Sequence, residues 1–420
     1  MSRKFSYNED VVGSIFDQKE NIEIRDLLKS KKILTRGDKI LDFEKKVSKY
    51  CNAKFAVAVS SCGAALNLTS KILNLKKGDE VICQGNMFWA GINHLLEKQI
   101  KIKCADTDNN LNISIESLKR LVTRKTKAIY IMHHGGYPCD LDKIKKIAKK
   151  YEIPIVEDCA HSLGSIYKGN KIGFKSDLAC FSFSTLKNIT TLGEGGMILT
   201  NNKQFYNKAK ALRTNFPIAS FSKDKSLQKI FGLNFKDFKK FTNIGNSWEN
   251  KIISIEEIGS TYRMGEAQAA AGVKQLKKLN SFINRRRKIA NIYNRFFLKY
   301  PDLFERCQIE SKNFKSSHHL YNFFVKKNSF FNRNQFANKL LENKIEIKIR
   351  FAPIHLNNIM RYHGCKPRNC KKCNGLPNLE YSWLHSQMSL PISPNKKINE
   401  IKSMLIIVKK IIKKFQKKIK

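Results

Sequence analysis

Short apolar runs rich in β-branched residues alternate with helical patterns from Phe55 onward, and this alternation constrains the fold more than any other feature. The strand-like runs are 55–59, 80–83, 102–105, 128–132, 154–157, 178–183 and 196–200. Helical patterns between them cover 64–75, 90–99, 114–121 and 140–150. Such a strand–helix repeat favours a sheet with helices on both faces. The sequence therefore predicts an α/β fold with a mainly parallel, seven-stranded sheet.

The alternation breaks at residues 177–200, where two predicted strands flank a polar, glycine-rich loop with no room for a helix. Places where a regular pattern fails are often functional sites. Farther along, a long helical pattern runs from Glu266 to about Phe297. Strand signals at 321–325 and 345–349 and helical signals at 334–343 and 397–415 follow it. We expect a large domain over residues 1–280 and a smaller C-terminal α+β domain over residues 281–420.

The 420-residue chain contains 79 Lys and Arg residues against 35 Asp and Glu residues, which gives a formal net charge of +44. Such an excess suggests nucleic acid, an anionic membrane or an anionic substrate as a partner. The basic residues are spread over the whole chain, however, and the heavy use of Lys, Ile and Asn is typical of an AT-rich genome. No helix-turn-helix or RNA-binding signature appears. We therefore expect no nucleic-acid partner.

The sequence has no pattern typical of a secreted or membrane-spanning protein. Met1–Asp10 is polar and no apolar segment follows it, so no signal peptide is predicted. No stretch approaches the ~18 apolar residues of a membrane span. The basic pattern Ile401–Lys420 could lie on a membrane surface, but it is more typical of a terminal helix that packs on the core. We expect a cytoplasmic protein without a membrane span.

The eleven cysteines indicate reduced cytosolic thiols rather than a disulfide framework. Cys365, Cys370 and Cys373 lie close together beside His363, at a spacing that could hold zinc or part of an iron–sulfur cluster. A second CxxC pair is missing, and the segment is typical of a surface loop. We predict no metal site and keep these three cysteines as the alternative.

Three segments supply residue types that a phosphate-bearing cofactor needs. In Val59–Leu66 (VSSCGAAL) a strand turns directly into a helix, and a helix N-terminus favours a phosphate. Asp158 lies at the end of a buried strand, where ligands bind in open α/β sheets and where an acid needs a cation or hydrogen bonds. Lys187 lies in the loop between two strands, where a lysine can lose its proton and attack a carbonyl.

Each segment also has a simpler interpretation: a tight turn without a ligand, a structural ion pair and a solvated lysine. Taken together, they suggest pyridoxal phosphate. That cofactor needs a lysine for its Schiff base, an acid that keeps its pyridine nitrogen protonated, and a phosphate-binding turn.

These segments belong to an ordered series of motifs that resembles the sugar aminotransferases of the DegT/DnrJ/EryC1/StrS type nearly end to end. The series is LTRGDKILDFEKKVSKY, KFAVAVSSCGAAL, GDEVICQGNMFWAG, CADTDNNLNI, TKAIYIMHHGGYPCDLDKI, IVEDCAHSLGSIYKGNKIG, FSFSTLKNITTLGEGGMILTN, GSTYRMGEAQAAAGVKQL, APIHL and LPI. The resemblance implies the fold of type I pyridoxal-phosphate-dependent transferases. It also implies a homodimer in which each active site lies at the subunit interface.

The resemblance assigns roles to individual residues. Lys187 would bind the cofactor as a Schiff base and carry the proton, and Asp158 would pair with the pyridinium nitrogen. His161 would lie against the cofactor ring, where relatives have Gln or His, and Phe88 would stack on the ring. The residues implied at the cofactor phosphate are Ser61, Cys62, Gly63 and Ser182.

The chain departs from the family pattern in three places. Cys62-Gly63 stands where the family usually has Gly-Thr, so one phosphate-binding hydroxyl is missing. Thr261 replaces the Asn of the GxNYRM motif, which in the family reaches the partner subunit's phosphate. The region 218–250 is longer than the family pattern and could reshape the substrate entrance. Around the APIHL segment, Arg350 and His355 are candidate substrate contacts, with Arg350 suited to a diphosphate or a carboxylate.

The resemblance implies an aminotransferase that acts on a ketosugar, most often nucleotide-linked, in surface-polysaccharide or amino-sugar biosynthesis. Glutamate is the usual amino donor. Related sugar dehydratases use the same cofactor but have His in place of the lysine, so Lys187 argues against that alternative. An aminocyclitol aminotransferase and a non-catalytic regulator on the same fold remain as further alternatives, and only the high net charge supports the regulator.

Overall fold

The computed structural model describes residues 12–174, 176–214, 258–362 and 375–417. Its helices are α1 (Gln18–Lys29), α2 (Asp38–Cys51), α3 (Cys62–Ile72), α4 (Asn93–Glu97), α5 (Ile115–Leu121), α6 (Leu141–Lys150), α7 (Lys203–Leu212), α8 (Glu266–Phe297), α9 (Arg333–Glu342), α10 (Asn358–Tyr362), α11 (Pro377–Tyr381) and α12 (Ile398–Gln416). Its strands are β1 (Phe55–Val59), β2 (Glu80–Gln84), β3 (Lys101–Ala105), β4 (Thr126–Met132), β5 (Ile155–Asp158), β6 (Ile166–Tyr167), β7 (Asn170–Lys171), β8 (Leu178–Ser182), β9 (Gly196–Thr200), β10 (Phe304–Arg306), β11 (Phe314–Lys315), β12 (Tyr321–Val325) and β13 (Gln387–Leu390). The Cys365, Cys370 and Cys373 cluster and the 218–250 region lie outside the described residues.

The main sheet has seven strands in the order β1-β9-β8-β5-β4-β2-β3. Only β9 runs antiparallel, to its neighbours β1 and β8. The other four pairings of the sheet, β8 with β5, β5 with β4, β4 with β2 and β2 with β3, are parallel. This confirms the predicted α/β class and the mainly parallel seven-stranded sheet. The antiparallel strand follows the loop where the sequence alternation breaks, because a loop without a helix returns the chain beside the strand it has just left.

Helices cover both faces of this sheet, which explains why its strands are apolar on both sides. One face packs on α2 and α6 through buried side chains that include Phe43, Val47 and Ile144. The other face packs on α3 and α7 through a second cluster that includes Leu66 and Leu212. The two apolar layers hold the strand ends in a rigid frame.

The C-terminal part of the chain builds its own core. Strands β10, β12 and β13 form an antiparallel sheet, and aromatic side chains of this part pack on it. The rings of Phe297 and Phe323 stack with their centroids 4.4 Å apart. Helix α8 contributes its first half to the core beside the main sheet and its second half to this one. The domain boundary at residues 280/281 stays a prediction, and it falls inside this continuous helix.

The structure differs from the sequence-based expectation at two elements. Residues 345–349 are not a continuous strand, since only isolated bridges form there, at Ile345 and at Lys348, which pairs with Ser389. The helix expected over 90–99 is a single turn at Trp89–Gly91 followed by the short α4, because Ile92 between them has a non-helical backbone (φ −124°). No helix within the described ranges is long and apolar enough to cross a membrane.

Candidate active site

The ends of five neighbouring strands meet at one edge of the main sheet and bring the predicted site residues together. Asp158 is the last residue of β5 and pairs in register with Met132 of β4 and Cys180 of β8. Ser182 ends β8 opposite Gly196 of β9, which in turn lies opposite Val59 of β1. Ligands bind at the carboxyl ends of the strands in open α/β sheets. This edge is therefore the candidate active site.

A helix N-terminus opens at this edge directly after β1. Ser61 caps α3, and its Oγ accepts the N–H of Ala64 at 3.0 Å. The N–H groups of Cys62 and Gly63, in the first turn, have no acceptor within the helix. A Cβ placed on Gly63 would lie in ordinary van der Waals contact with Ser61 Oγ at 3.6 Å and with Ala90 Cβ at 3.7 Å, so it would fit without a clash. The helix dipole and these N–H groups suit a phosphate.

The EGG motif at residues 194–196 ends in a glycine that the turn after β1 requires for steric reasons. A Cβ on Gly196 would lie 2.3 Å from the backbone oxygen of Ser61, well inside the contact distance of two real atoms. Strand β9 can approach the turn this closely only because residue 196 is a glycine. The motif thus holds the end of β1 and the start of α3 against the loop that carries Lys187.

Backbone hydrogen bonds hold the Lys187 loop at both ends. Lys187 N–H donates to Ser184 O at 3.0 Å, and Thr185 N–H donates to Gly193 O at 2.9 Å. The N-terminal segment crosses this loop, where Gly13 N–H donates to Thr185 O at 2.8 Å. A Cβ on Gly13 would lie 2.0 Å from Leu186 O, so this crossing also requires a glycine.

Lys187 and Asp158 are electrostatically coupled and titrate away from their usual ranges. Burial lowers the pKa of Lys187, and the nearby Arg350 lowers it further, while Asp158 and Cys62 oppose the shift. Burial raises the pKa of Asp158, against its hydrogen bond from Ala160 N–H (2.9 Å) and against the charge of Lys187. A lowered lysine pKa increases the neutral, nucleophilic fraction of the amine near neutral pH.

His161 lies at the same edge with its ring orientation held by one hydrogen bond. Its Nδ1 accepts the N–H of Gly135 at 3.3 Å, so the neutral ring carries its proton on Nε2. Burial and the neighbouring Lys187 keep the pKa of His161 well below the usual range. The ring of Phe351 lies nearly parallel to it, with centroids 5.8 Å apart. Phe88 is half exposed and its ring lies 5.7 Å from the Phe351 ring.

The remaining predicted residues take different positions. Arg350 lies close enough to Lys187 and His161 to affect the pKa of both. Thr261 is exposed and lies beside the α3 turn, since the backbone oxygen of the next residue, Tyr262, accepts the N–H of Ser60 at 2.8 Å.

His355 is buried and its Nε2 pairs with Glu380 Oε1 at 2.8 Å. A substrate contact of His355 stays a prediction.

Three site residues were missed by the sequence reasoning: His134, His319 and Phe351. His134 follows the end of β4, and the rule that located Asp158, polar residues after a buried parallel strand, also applies to it. His319 and Phe351 come from the C-terminal part, and no sequence spacing indicates that they reach this edge. Burial, with the nearby Arg350, lowers the pKa of His134 to about 3.

A buried cluster behind Asp158 resembles a set of metal ligands but has the geometry of a hydrogen-bonded pair. His133, Glu157 and Cys159 place one donor atom each within 4.8 Å of one another. The Nδ1 of His133 accepts the N–H of Cys139 at 3.0 Å, so Nε2 holds the ring proton and donates it to Glu157 at 2.8 Å. A metal ligand would need that same nitrogen deprotonated.

The chain is similar to known proteins over most of its length. The model of the DegT/DnrJ/EryC1/StrS aminotransferase family matches residues 14–409. An uncharacterised protein of Methanocaldococcus jannaschii is 36% identical over 94% of this chain and 95% of its own length. A UDP-4-amino-4,6-dideoxy-N-acetyl-β-L-altrosamine transaminase of Campylobacter jejuni is 32% identical over 77% of this chain and 78% of its own. A solved aminotransferase structure from Psychrobacter cryohalolentis has a similar fold, with a TM-score of 0.83, 23% identity and coverage of 97% of this chain and 100% of that one.

Proposed function

The chain belongs to the DegT/DnrJ/EryC1/StrS aminotransferase family, and from this premise we propose that it transfers an amino group from glutamate to a nucleotide-linked ketosugar. It is an aminotransferase, and its cofactor is pyridoxal phosphate. The observation that carries the proposal is that Lys187, Asp158 and the N-terminus of α3 lie together at the carboxyl edge of the sheet. The Campylobacter jejuni relative, which is named for a UDP-linked sugar, supports a nucleotide on the acceptor.

The residues at this edge fit the cofactor. The first turn of α3 offers N–H groups without intrahelical acceptors for a phosphate. Asp158 offers a buried carboxylate whose neighbours favour its charged form. Lys187 offers an amine whose pKa is lowered. Ser61, Cys62, Gly63 and Ser182 would hold the phosphate, and His161 and Phe88 would contact the ring.

Bound pyridoxal phosphate supplies an electron sink, which stabilises negative charge on the carbon where the amino group is exchanged. The negative charge of the Asp158 carboxylate would favour the protonated form of the cofactor's pyridine nitrogen. Lys187 Nζ takes the proton from the carbon that bears the donor's amino group, and it returns a proton to the former carbonyl carbon of the sugar. Arg350 is the candidate partner for the anionic groups of the substrates, a carboxylate or a diphosphate.

A panel of acceptors tests this function. Purified holoenzyme with glutamate is incubated with ketosugars that carry UDP, GDP or dTDP, and with the same sugars lacking the nucleotide. We expect 2-oxoglutarate and an aminosugar, detected by mass spectrometry, only with nucleotide-linked acceptors. Equal rates with free ketosugars or with an aminocyclitol ketone would contradict the proposed substrate class.

We also propose that two copies of the chain form the active sites together. The Lys187 loop presents apolar side chains to solvent, with Leu186 47% and Leu192 43% exposed. Phe88 is exposed at the same edge, at 52%. A second copy covering these side chains would remove them from water. In such a dimer, Thr261 of each chain would reach the cofactor phosphate of the other.

Mixing two inactive variants tests the shared site. Lys187→Ala removes the amine, and Thr261→Asp places a negative charge against the neighbouring phosphate. If each site takes these residues from different chains, refolded mixtures contain hybrid dimers with one intact site, and about a quarter of wild-type activity returns. Either variant alone stays inactive. No recovery in the mixture, or a monomer by light scattering, would contradict the shared site.

The missing hydroxyl of the phosphate turn gives a separate prediction. Gly63→Ser adds a hydroxyl donor at a position where a Cβ fits without a clash. A hydrogen bond from it to a charged group should tighten pyridoxal phosphate binding about three- to tenfold. Gly63→Ala is the matched control, because it adds the Cβ and the helix propensity without the hydroxyl. Fluorescence titration of each apoenzyme variant with pyridoxal phosphate measures its dissociation constant. Equal affinities of the Ser and Ala variants would contradict a phosphate at this turn.

We place the reaction in the cytoplasm. Eight cysteines of the described ranges are buried and form no disulfide bond, as expected for a protein that stays in a reducing compartment. Cell fractionation with an antibody to the chain tests the placement, and recovery of the chain in an oxidising compartment would contradict it.

A further inference from the structure

Three buried imidazoles meet behind the Lys187 loop: those of His134, His161 and His319. The ring of His319 stacks on the ring of His161, with a centroid distance of 4.3 Å and an interplanar angle of 22°. His134 meets His161 edge-on, at 6.2 Å and 83°. Only His161 has an expected role, against the cofactor ring, and the tight stack behind it is therefore unexplained by that role alone.

The backbone of His319 is anchored independently of His161. It lies just before β12, and the guanidinium of the buried Arg286 donates to the carbonyls of both His318 (3.2 Å) and His319 (3.4 Å). A second link ties the two partners together, since Ser317 Oγ donates to His161 O at 2.7 Å. These hydrogen bonds fix the backbone of both residues, and the His319 ring covers one face of the His161 ring.

The neutral, buried ring of His319 suits a stacking role more than a hydrogen-bonding role. Its Nδ1 is buried and has no hydrogen-bond partner among the described residues. Burial, with Lys187, Arg286 and Arg350 nearby, keeps the pKa of His319 well below the usual range, so the ring is neutral. Two neutral stacked imidazoles do not repel each other. The stacking of its ring face on His161 is thus the contact that the structure shows for this side chain.

We propose that His319 is a positioning residue, which holds the His161 ring parallel to the pyridine ring of the cofactor by stacking on its opposite face. The proposal rests on pyridoxal phosphate as the cofactor and not on the identity of the sugar. His319 covers one face of the His161 ring, and the Phe351 ring lies nearly parallel to His161 at a centroid distance of 5.8 Å. Loss of the stack would let the imidazole tilt and would loosen the cofactor ring.

Three substitutions separate the flat face from the polar atoms. His319→Phe keeps a ring, His319→Gln keeps polarity without a ring, and His319→Ala keeps neither. We expect His319→Ala and His319→Gln to weaken cofactor binding about two- to tenfold, which is the range of aromatic pair energies. Both should also reduce the visible circular dichroism of the bound cofactor. His319→Phe should restore the affinity and the dichroism to near wild type.

These readouts need only apoenzyme and pyridoxal phosphate, so they do not depend on the proposed sugar substrate. His385→Ala, an exposed histidine of the C-terminal part, is the matched control and should bind the cofactor as wild type does. If His319→Ala does not fold, the cofactor affinities of His319→Phe and His319→Gln are compared with each other, and the proposal requires tighter binding by the Phe variant. The proposal is overturned if His319→Phe is as impaired as His319→Ala, if His319→Gln matches wild type, or if all variants bind normally.

Discussion

Lys187→Ala is expected to lower the rate of transamination by at least about a thousandfold, the scale of losing a base that acts directly on the reacting carbon. The amine of Lys187 lies at the carboxyl edge of the sheet with a lowered pKa, which is the condition for its neutral form to react. The phosphate turn of α3 does not involve Lys187, so the variant should still bind pyridoxal phosphate, more weakly. Glutamate-dependent release of 2-oxoglutarate measures the loss.

Two controls sharpen this prediction. Lys168→Ala removes an exposed lysine that pairs with Asp142 at 2.6 Å, and its activity should stay near wild type. Lys187→Arg keeps a positive charge but remains protonated at every working pH, so it should be as inactive as the alanine variant. A Lys187→Ala enzyme within tenfold of the wild-type rate would show that another group transfers the proton.

Asp158→Asn is expected to lower kcat about a hundredfold, which is the scale for removing one preorganised charge from an active site. The amide keeps the shape of the side chain and can still accept the Ala160 N–H, so the fold of the β5 end should persist. What is lost is the negative charge that favours a protonated pyridine nitrogen. The steady-state rate and the absorption spectrum of the bound cofactor report the two effects.

Asp158→Asn should also change the pKa of Lys187 in a known direction. The charge of Asp158 raises the pKa of Lys187, against the stronger lowering by burial. Removing that charge should therefore lower the pKa of Lys187 further in the apoenzyme, which a pH series of lysine-specific modification can follow. Asp142→Asn, at a partly exposed position on α6, serves as the control. An unchanged kcat in Asp158→Asn would remove this residue from the site.

The sequence predicted the parts of the fold that depend on local pattern. The strands of the main sheet are apolar on both faces, and β1, β4 and β9 begin and end within two residues of the expected positions. Asp158 was located at the end of a buried strand, and Lys187 was located in the glycine-rich loop between two strands where the alternation breaks. Elements without a strong pattern were missed, such as the two-residue strands β6, β7 and β11, which are too short to show a period.

The part of the site that comes from distant chain segments was not predictable. His319 and Phe351 approach His161 because the C-terminal core orients the segments that carry them, and no local spacing encodes that approach. Gly13 crosses the Lys187 loop from the other end of the chain. Three-dimensional packing, rather than local propensity, decides such contacts, and only the folded structure shows them.

The central claim, that Lys187 is the residue that holds and serves the cofactor, has one direct measurement. Holoenzyme is reduced with borohydride, digested and analysed by peptide mass spectrometry. We expect the pyridoxyl group on the peptide that contains Lys187, at one equivalent per chain, and none in Lys187→Ala. A modified lysine elsewhere, or no bound cofactor in the wild-type protein, would contradict the account.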